Sequence, residues 1–469
     1  MSSGGSFSDC GVWSFVLLAA AILGSMIVAS FIKRKIGFLN KSLVPVSVLG
    51  GILLLIISMI VKAVTGKYLF NLDIFSAGSD KSGIEILEIL TYHCLAVGFI
   101  AMTLRKTKGK SKTRTRDVIN TGLTTVSTYL VQAFFGLAIT TISAIFLPKL
   151  LKASGLLLAF GYGQGTGQAL NYGSIYETYG FTGGKSFGLT VAAFGFLSAS
   201  ILGVIYLNFK RKKGDLVVRK ELNELNKEVV EDEGEIPMIE SIDKLTMEIA
   251  LIAICYAGAY GIMFVLGNLV GGLKSTIYGF NFLFGALMGV VLKAIIGLLR
   301  KTGIMKRDYI NNFLLNRISG FAFDIMIVAG IGAIQIDLIA NYIGVLCILC
   351  VIGAIVTFIY IKFVSDRLFP EYKNEQFLAM FGMLTGTAST GIILLREVDP
   401  EFETPVSENI VYQNFPAIVC GFPIMLLASY APTSDKAVYI CMAAILGIFV
   451  VFNLFLFRSK IFKKKDKKS

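Results

Sequence analysis

Two short strings in this chain of 469 residues have the composition of a binding site. The first reads Phe160-Gly161-Tyr162-Gly163-Gln164-Gly165-Thr166-Gly167, the second Phe381-Gly382-Met383-Leu384-Thr385-Gly386-Thr387-Ala388. Both fit F-G-x-x-x-G-T-small without a gap. They lie in two runs, 150–172 and 375–396, that are apolar at their ends and rich in glycine and threonine at their middles. Glycine lets a chain turn sharply and lets other groups approach its backbone. A helix broken there frees N–H and C=O groups, which a membrane tolerates only when they are buried in protein or line a wet cavity. The freed N–H groups opening the next half-helix carry a partial positive charge and suit a carboxylate. The freed carbonyls, with the hydroxyls of Thr166, Thr387, Ser389 and Thr390, suit a hard cation such as Na⁺. Candidate substrate-binding positions are Gly163, Gln164, Gly165, Thr166, Gly167, Gln168 and Asn171 in the first run and Gly386, Thr387, Ala388, Ser389 and Thr390 in the second. The competing reading is a glycine-rich seam for helix packing.

Ionisable groups inside apolar segments are costly and point to function. Asp324, between Phe321 and Gly330, is a candidate Na⁺ ligand beside Thr166, Thr387 and Ser389; proton carriage or a pair with Arg317 are its other readings. Arg317 has the geometry to hold a substrate carboxylate through two hydrogen bonds, or to reach the membrane interface. Arg396 follows the second run and either meets substrate or forms a surface ion pair. Gln132, Asn341, Gln413 and Asn414 read as interhelical hydrogen-bonding residues. His93 is the only histidine and reads as a hydrogen-bonded core residue or a proton relay. Cys347 and Cys350 lack the second pair or histidine that a zinc site needs. No H-E-x-x-H or paired-Asp motif appears, so an intramembrane enzyme is disfavoured.

These residues must be positioned by membrane helices. Hydrophobic residues make up 55% and charged residues 16%, and mean hydropathy is +0.73. An ordinary soluble domain carries about 25% charge. The segments lack the alternation of a membrane β-barrel. The expected class is an all-α polytopic membrane protein. Apolar runs long enough to cross a bilayer fall near 11–32, 43–63, 85–104, 118–147, 185–209, 247–270, 276–298, 311–335, 339–364, 409–431 and 435–457. The first lacks a basic flank and cleavage signal and reads as a permanent span.

The net charge of +13 would suggest nucleic acid or another acidic partner in a soluble protein. Here the basic residues gather after spans, around 33–41, 105–116, 210–220 and 300–307 and in the tail from Arg458. The positive-inside rule places all five clusters in the cytoplasm, so the charge orients the spans and calls for no nucleic acid. The N-terminus is then outside and the C-terminus inside. Parity holds only if 150–172 dips in from outside and 375–396 from inside. Residues 1–209 form one repeat with the first dip, and 210–246 a charged linker containing an amphipathic helix. Residues 247–431 form the inverted repeat with the second dip, and 432–469 add a span and a basic tail. Inverted repeats with broken helices are a plan of secondary transporters.

The stretch Gly163-Gln164-Gly165-Thr166-Gly167, followed by Tyr179-Gly180-Phe181-Thr182 and Ala193-Phe194-Gly195, resembles the bacterial sodium/glutamate symporter family. There the first dip commonly reads G-H-G-T-G. Gly386-Thr387-Ala388-Ser389-Thr390 is similar to that family's G-A-T-P-T, and Pro45-Val46-Ser47-Val48-Leu49-Gly50-Gly51 to its P-E-P-V-A-G-G. The resemblance implies Na⁺-coupled uptake of L-glutamate in a prokaryotic cytoplasmic membrane, ten spans, two opposed re-entrant loops and a homodimer working as an elevator. Na⁺ would be the coupling ion, with no other cofactor. The chain departs from the pattern at Gln164, where histidine is usual, at Ser389 for proline, at Ser47 for glutamate, and by its eleventh span. A dicarboxylate, another amino acid and H⁺ coupling stay open, as does leak conductance.

Overall fold

The computed structural model describes residues 10–76, 81–106, 115–213, 243–270, 274–305, 307, 309–399 and 403–462. Most of the linker 210–246, part of the basic cluster at 105–116 and the outermost tail lie outside the described residues, as does the Ser389 side chain. The helices that matter below are α1 Cys10–Lys35, α2 Val46–Thr65, α3 Gly83–Leu104, α4 Thr115–Phe146, α5 Leu157–Gln164, α6 Thr166–Thr178, α7 Gly184–Lys212, α8 Lys244–Leu269, α9 Asn281–Lys301, α10 Asn312–Gly332, α11 Ile343–Leu368, α12 Lys373–Thr385, α13 Ala388–Arg396, α14 Asn414–Tyr430 and α15 Asp435–Phe462. Among the described residues there is no strand, and eleven helices are long and apolar enough to span a membrane.

Local chemistry sets several boundaries. Ser82 and Glu85 form a reciprocal capping box at the start of α3, satisfying N–H groups that a helix end leaves free. Asn311 caps α10 and Asp243 caps α8 through their side chains. Helices α1, α7 and α9 end in Lys33-Arg34-Lys35, Lys210-Arg211-Lys212 and Arg300-Lys301, where cations favour the negative end of the helix dipole. The expected span 409–431 is not one helix. Val406–Tyr412 stops at Gln413 and α14 begins at Asn414. Pro416 brings no N–H and leaves the Tyr412 carbonyl unpaired within the helix.

Packing between the halves is reciprocal. Helix α3 lies on α10, and α4 on α11. Helix α2 packs on α10 while α9 packs on α3, and α1 meets α2 as α8 meets α9. In each half, the third and fourth spans face their counterparts, and the second crosses to the other half's third. The last helix, α15, lies against α4.

Neither glycine-rich run crosses the bundle; both turn back. Helices α5 and α6 fold together with Phe160 stacked on Tyr172, ring centres 3.8 Å apart. In α12 and α13, a Cβ on Gly391 would lie 2.3 Å from the Ala379 carbonyl oxygen. A 3₁₀ turn leads into each hairpin, Lys152–Leu156 and Pro370–Tyr372. The first hairpin runs on to Thr178, past the expected limit at 172.

The hairpins enter from opposite ends of the bundle. At the Thr115 end of α4, the Tyr372 hydroxyl donates to Asp117 at 2.9 Å and the Gln376 amide donates to Thr121 at 3.1 Å. Tyr206 donates to Asn374 there, and Arg211 pairs with Glu397 at 3.1 Å. Beyond the Phe146 end of α4, Tyr342 donates to the Lys149 carbonyl at 3.2 Å and Lys152 pairs with Asp435 at 2.6 Å. Helix α4 has 32 residues, about 48 Å at 1.5 Å per residue.

Candidate functional site

Helix α7 brings the hairpins together. A Cβ on its Gly188 would sit 2.5 Å from the Ala169 carbonyl of α6, and one on its Gly195 2.3 Å from the Thr385 carbonyl of α12. Only the absence of a side chain allows backbone so close. The first hairpin is further held by tyrosines: Tyr162 donates to the Cys350 carbonyl at 2.8 Å, Tyr172 to Met425 at 3.0 Å and Tyr176 to Ala428 at 3.2 Å. The second is held by Gln132, whose amide donates to Thr357 and to the Leu384 carbonyl, both at 2.9 Å.

The two tips meet. Gly165 takes φ +82°, a left-handed conformation, and a Cβ there would lie 3.7 Å from both the Gly386 carbonyl oxygen and the Thr387 methyl. Past the breaks, α6 starts at Thr166 and α13 at Ala388, and the Thr387 side chain caps α13 by accepting from the Thr390 N–H. Beside the tips is a cavity of about 110 Å³. Hairpin residues Gly163, Gln164, Gln168, Gly386, Thr387 and Ala388 line it, together with Tyr129, Gln413, Asn414 and an apolar wall from α3 and α14.

Three amide atoms on this lining have no hydrogen-bond partner: Gln164 Nε2, Gln168 Nε2 and Gln413 Oε1. Gln168 and Gln413 are 2% and 1% exposed. Each buried polar atom left unpaired costs about 1–3 kcal/mol, so their convergence favours a polar occupant. No charged side chain is among the lining residues.

The other candidates are dispersed. Thr166 is buried and turns its hydroxyl toward the Met326 carbonyl of α10, at 3.5 Å. Gly167 packs against Leu95. Asn171 donates to the Gly279 carbonyl at 2.6 Å. Thr390 lies under the second tip, its hydroxyl 3.4 Å from that of Thr387. Asp324 is half-buried beside Ser47 at the start of α2 and does not line the cavity. Arg317 is exposed with its guanidinium over the Phe313 ring, 5.1 Å from its centre. Arg396 is exposed at the end of α13, and its neighbour Glu397 pairs with Arg211. His93 bonds to the Tyr256 hydroxyl at 2.6 Å but faces outward rather than into a core. Among the described residues, no cluster of three or more His, Cys, Asp or Glu could hold a metal.

Sequence reasoning missed Gln413 and Asn414 as cavity residues and did not single out Tyr129. The available signal was Pro416, which marks a third interruption of helix at this depth. The fold defines the class: an all-α, multi-pass membrane protein with two re-entrant hairpins. No protein-family model matches the chain, and no curated protein matches it either.

Proposed function

We propose that the protein is a secondary active symporter that imports L-glutamate or a similar small acidic solute, coupled to Na⁺, by alternating access of the elevator type. One observation carries this reading: two hairpins entering from opposite ends bring their broken tips into contact beside a cavity with unpaired buried amides. A site reached by both ends of a bundle is what alternating access needs. The N-terminal ends of α6 and α13 lie at the tips and favour an anion. The Thr387 and Thr390 hydroxyls, with carbonyls freed at the second tip, are of the hard-oxygen type that Na⁺ takes. The resemblance to sodium/glutamate symporters supports the same solute class, ion and a homodimeric assembly. The basic helix ends support a prokaryotic cytoplasmic membrane with the N-terminus outside and the C-terminus inside. Transport is preferred to catalysis because the lining offers amides and hydroxyls and no pair of ionisable groups. The uncharged lining also favours a second reading, a zwitterionic amino acid without an acidic side chain.

Purified protein in liposomes tests this. Labelled glutamate uptake is expected to depend on an inward Na⁺ gradient. Uptake of glutamine in preference to glutamate would select the second reading, and uptake driven by a pH gradient alone would move the coupling to H⁺. No gradient-dependent uptake of any acidic solute or amino acid would overturn the proposal.

A further inference from the structure

A second chamber, of about 360 Å³, adjoins the tip cavity and shares Phe99, Met102, Asn414 and Ile418 with it. It lies between the end of α3, the middle of α9, the start of α10 and the start of α14. Its character is the reverse of the tip cavity's. Arg105, Lys106 and Lys293 all line it, and no carboxylate is among its described lining residues.

Lys293 is the notable member, a lysine two-thirds of the way along a membrane-length helix. Its ammonium donates to the carbonyls of Thr103 at 3.0 Å and Arg105 at 3.1 Å. Arg105 donates from Nε to the Met102 carbonyl at 3.3 Å and from its guanidinium to the Asn316 side chain. All these partners are neutral. The end of α3 offers about half a negative charge, against two full positive ones. Burial also holds the Arg105 guanidinium below its usual pKa, so its charge is poorly solvated. Capping α3 accounts for the placement of these cations but leaves most of their charge uncompensated.

We propose that this chamber is an anion-binding antechamber, distinct from the tip cavity, in which Arg105 and Lys293 together hold one carboxylate group of a small organic acid. Charge-assisted hydrogen bonds from both side chains would supply the binding. The shared wall at Phe99, Met102, Asn414 and Ile418 makes it the next stop for a solute leaving the tips. That role on the solute's path rests on the transport reading; the binding itself does not.

Val290 lines the chamber three residues before Lys293 on α9. In the full-length Val290→Cys protein, modification of that thiol is followed by mass spectrometry with two methanethiosulfonates of similar size, one a sulfonate and one a trimethylammonium. The sulfonate is expected to react faster. Sodium succinate should slow it saturably, while sodium chloride at equal ionic strength does not. Adding Lys293→Gln or Arg105→Gln should lower the sulfonate preference by about fivefold, the scale of one nearby unit charge in water, and weaken succinate protection at least as much. Lys293→Arg should keep both. Equal rates for the two reagents, a preference indifferent to both charge removals, or no succinate protection would each overturn the proposal. A protein that moves no solute but keeps preference and protection would lose the transport reading and retain this one.

Discussion

At Gly165 a single dihedral angle separates a working tip from a strained one. Its φ of +82° puts it where side-chain-bearing residues rarely sit, although a Cβ would meet its nearest neighbours at an ordinary 3.7 Å. The penalty for Gly165→Val is therefore backbone strain, of order 1–3 kcal/mol, concentrated where the tips touch. The variant is expected to insert and purify as the parent does and to show no uptake in liposomes; normal uptake would remove Gly165 from the tip. Gln168→Leu makes the complementary test. It removes a buried Nε2 that has no partner, so thermal stability should hold or rise, while KM for the solute rises about tenfold, the equivalent of a lost 1.4 kcal/mol contact. A fall in stability with KM unchanged would make Gln168 a packing residue. Both positions were legible in the sequence because a glycine-threonine string is conspicuous in an apolar run. Asp324 was equally conspicuous, yet it sits beside Ser47 on another helix. A buried charge announces its cost and not its neighbours. The outer wall from Tyr129 and Gln413 was invisible for the converse reason: nothing in their local sequence shows which distant hairpin they face.

Among the elements, α7 has the most to do, and its glycines are the means. Gly188 meets the first hairpin and Gly195 the second. At 100° per residue, seven residues apart means almost one face of the helix. Gly195→Ala would force a Cβ to within 2.3 Å of the Thr385 carbonyl, which only backbone movement can relieve. Overpacking of this kind costs about 1–3 kcal/mol, and the displaced element is the half-helix leading to the second tip. The expected result is a lower melting temperature in detergent with reduced uptake. Gly297→Ala on α9 is the control, because nothing lies within 4 Å of a Cβ there and the exchange gains up to about 1 kcal/mol of helix propensity. Equal effects from the two would show that α7 does not cradle the hairpins by close approach. Helix positions could be read from hydropathy because membrane length is a one-dimensional constraint. The division of α14 from Val406–Tyr412 could not, since Pro416 and Gln413 interrupt the helix without interrupting its apolar run.

For the whole molecule, the decisive property is that the hairpins enter from opposite ends. Charge placement implied it by parity, and the hydrogen bonds reach the same arrangement by an unrelated route: Tyr372 beside Asp117 at one end of α4, Lys149 beside Tyr342 beyond the other. Lys149 and Lys373 are both exposed and flank the entries to the first and second hairpins. Single cysteines at these positions in an otherwise cysteine-free protein should therefore report opposite faces of the membrane. In intact cells a membrane-impermeant thiol reagent is expected to label Lys149→Cys at once and Lys373→Cys only after permeabilisation. The result depends on neither solute nor ion, so it isolates the architecture from the proposed chemistry. Labelling of both from one face would mean that the bundle sits in the bilayer differently from its charge pattern. The tips would then not be approached from two sides, and alternating access would lose its structural basis. Labelling from opposite faces but inverted, with Lys373→Cys reacting in intact cells, would preserve the paired entries while reversing orientation, and would turn the basic antechamber toward the outside as a point of entry rather than release.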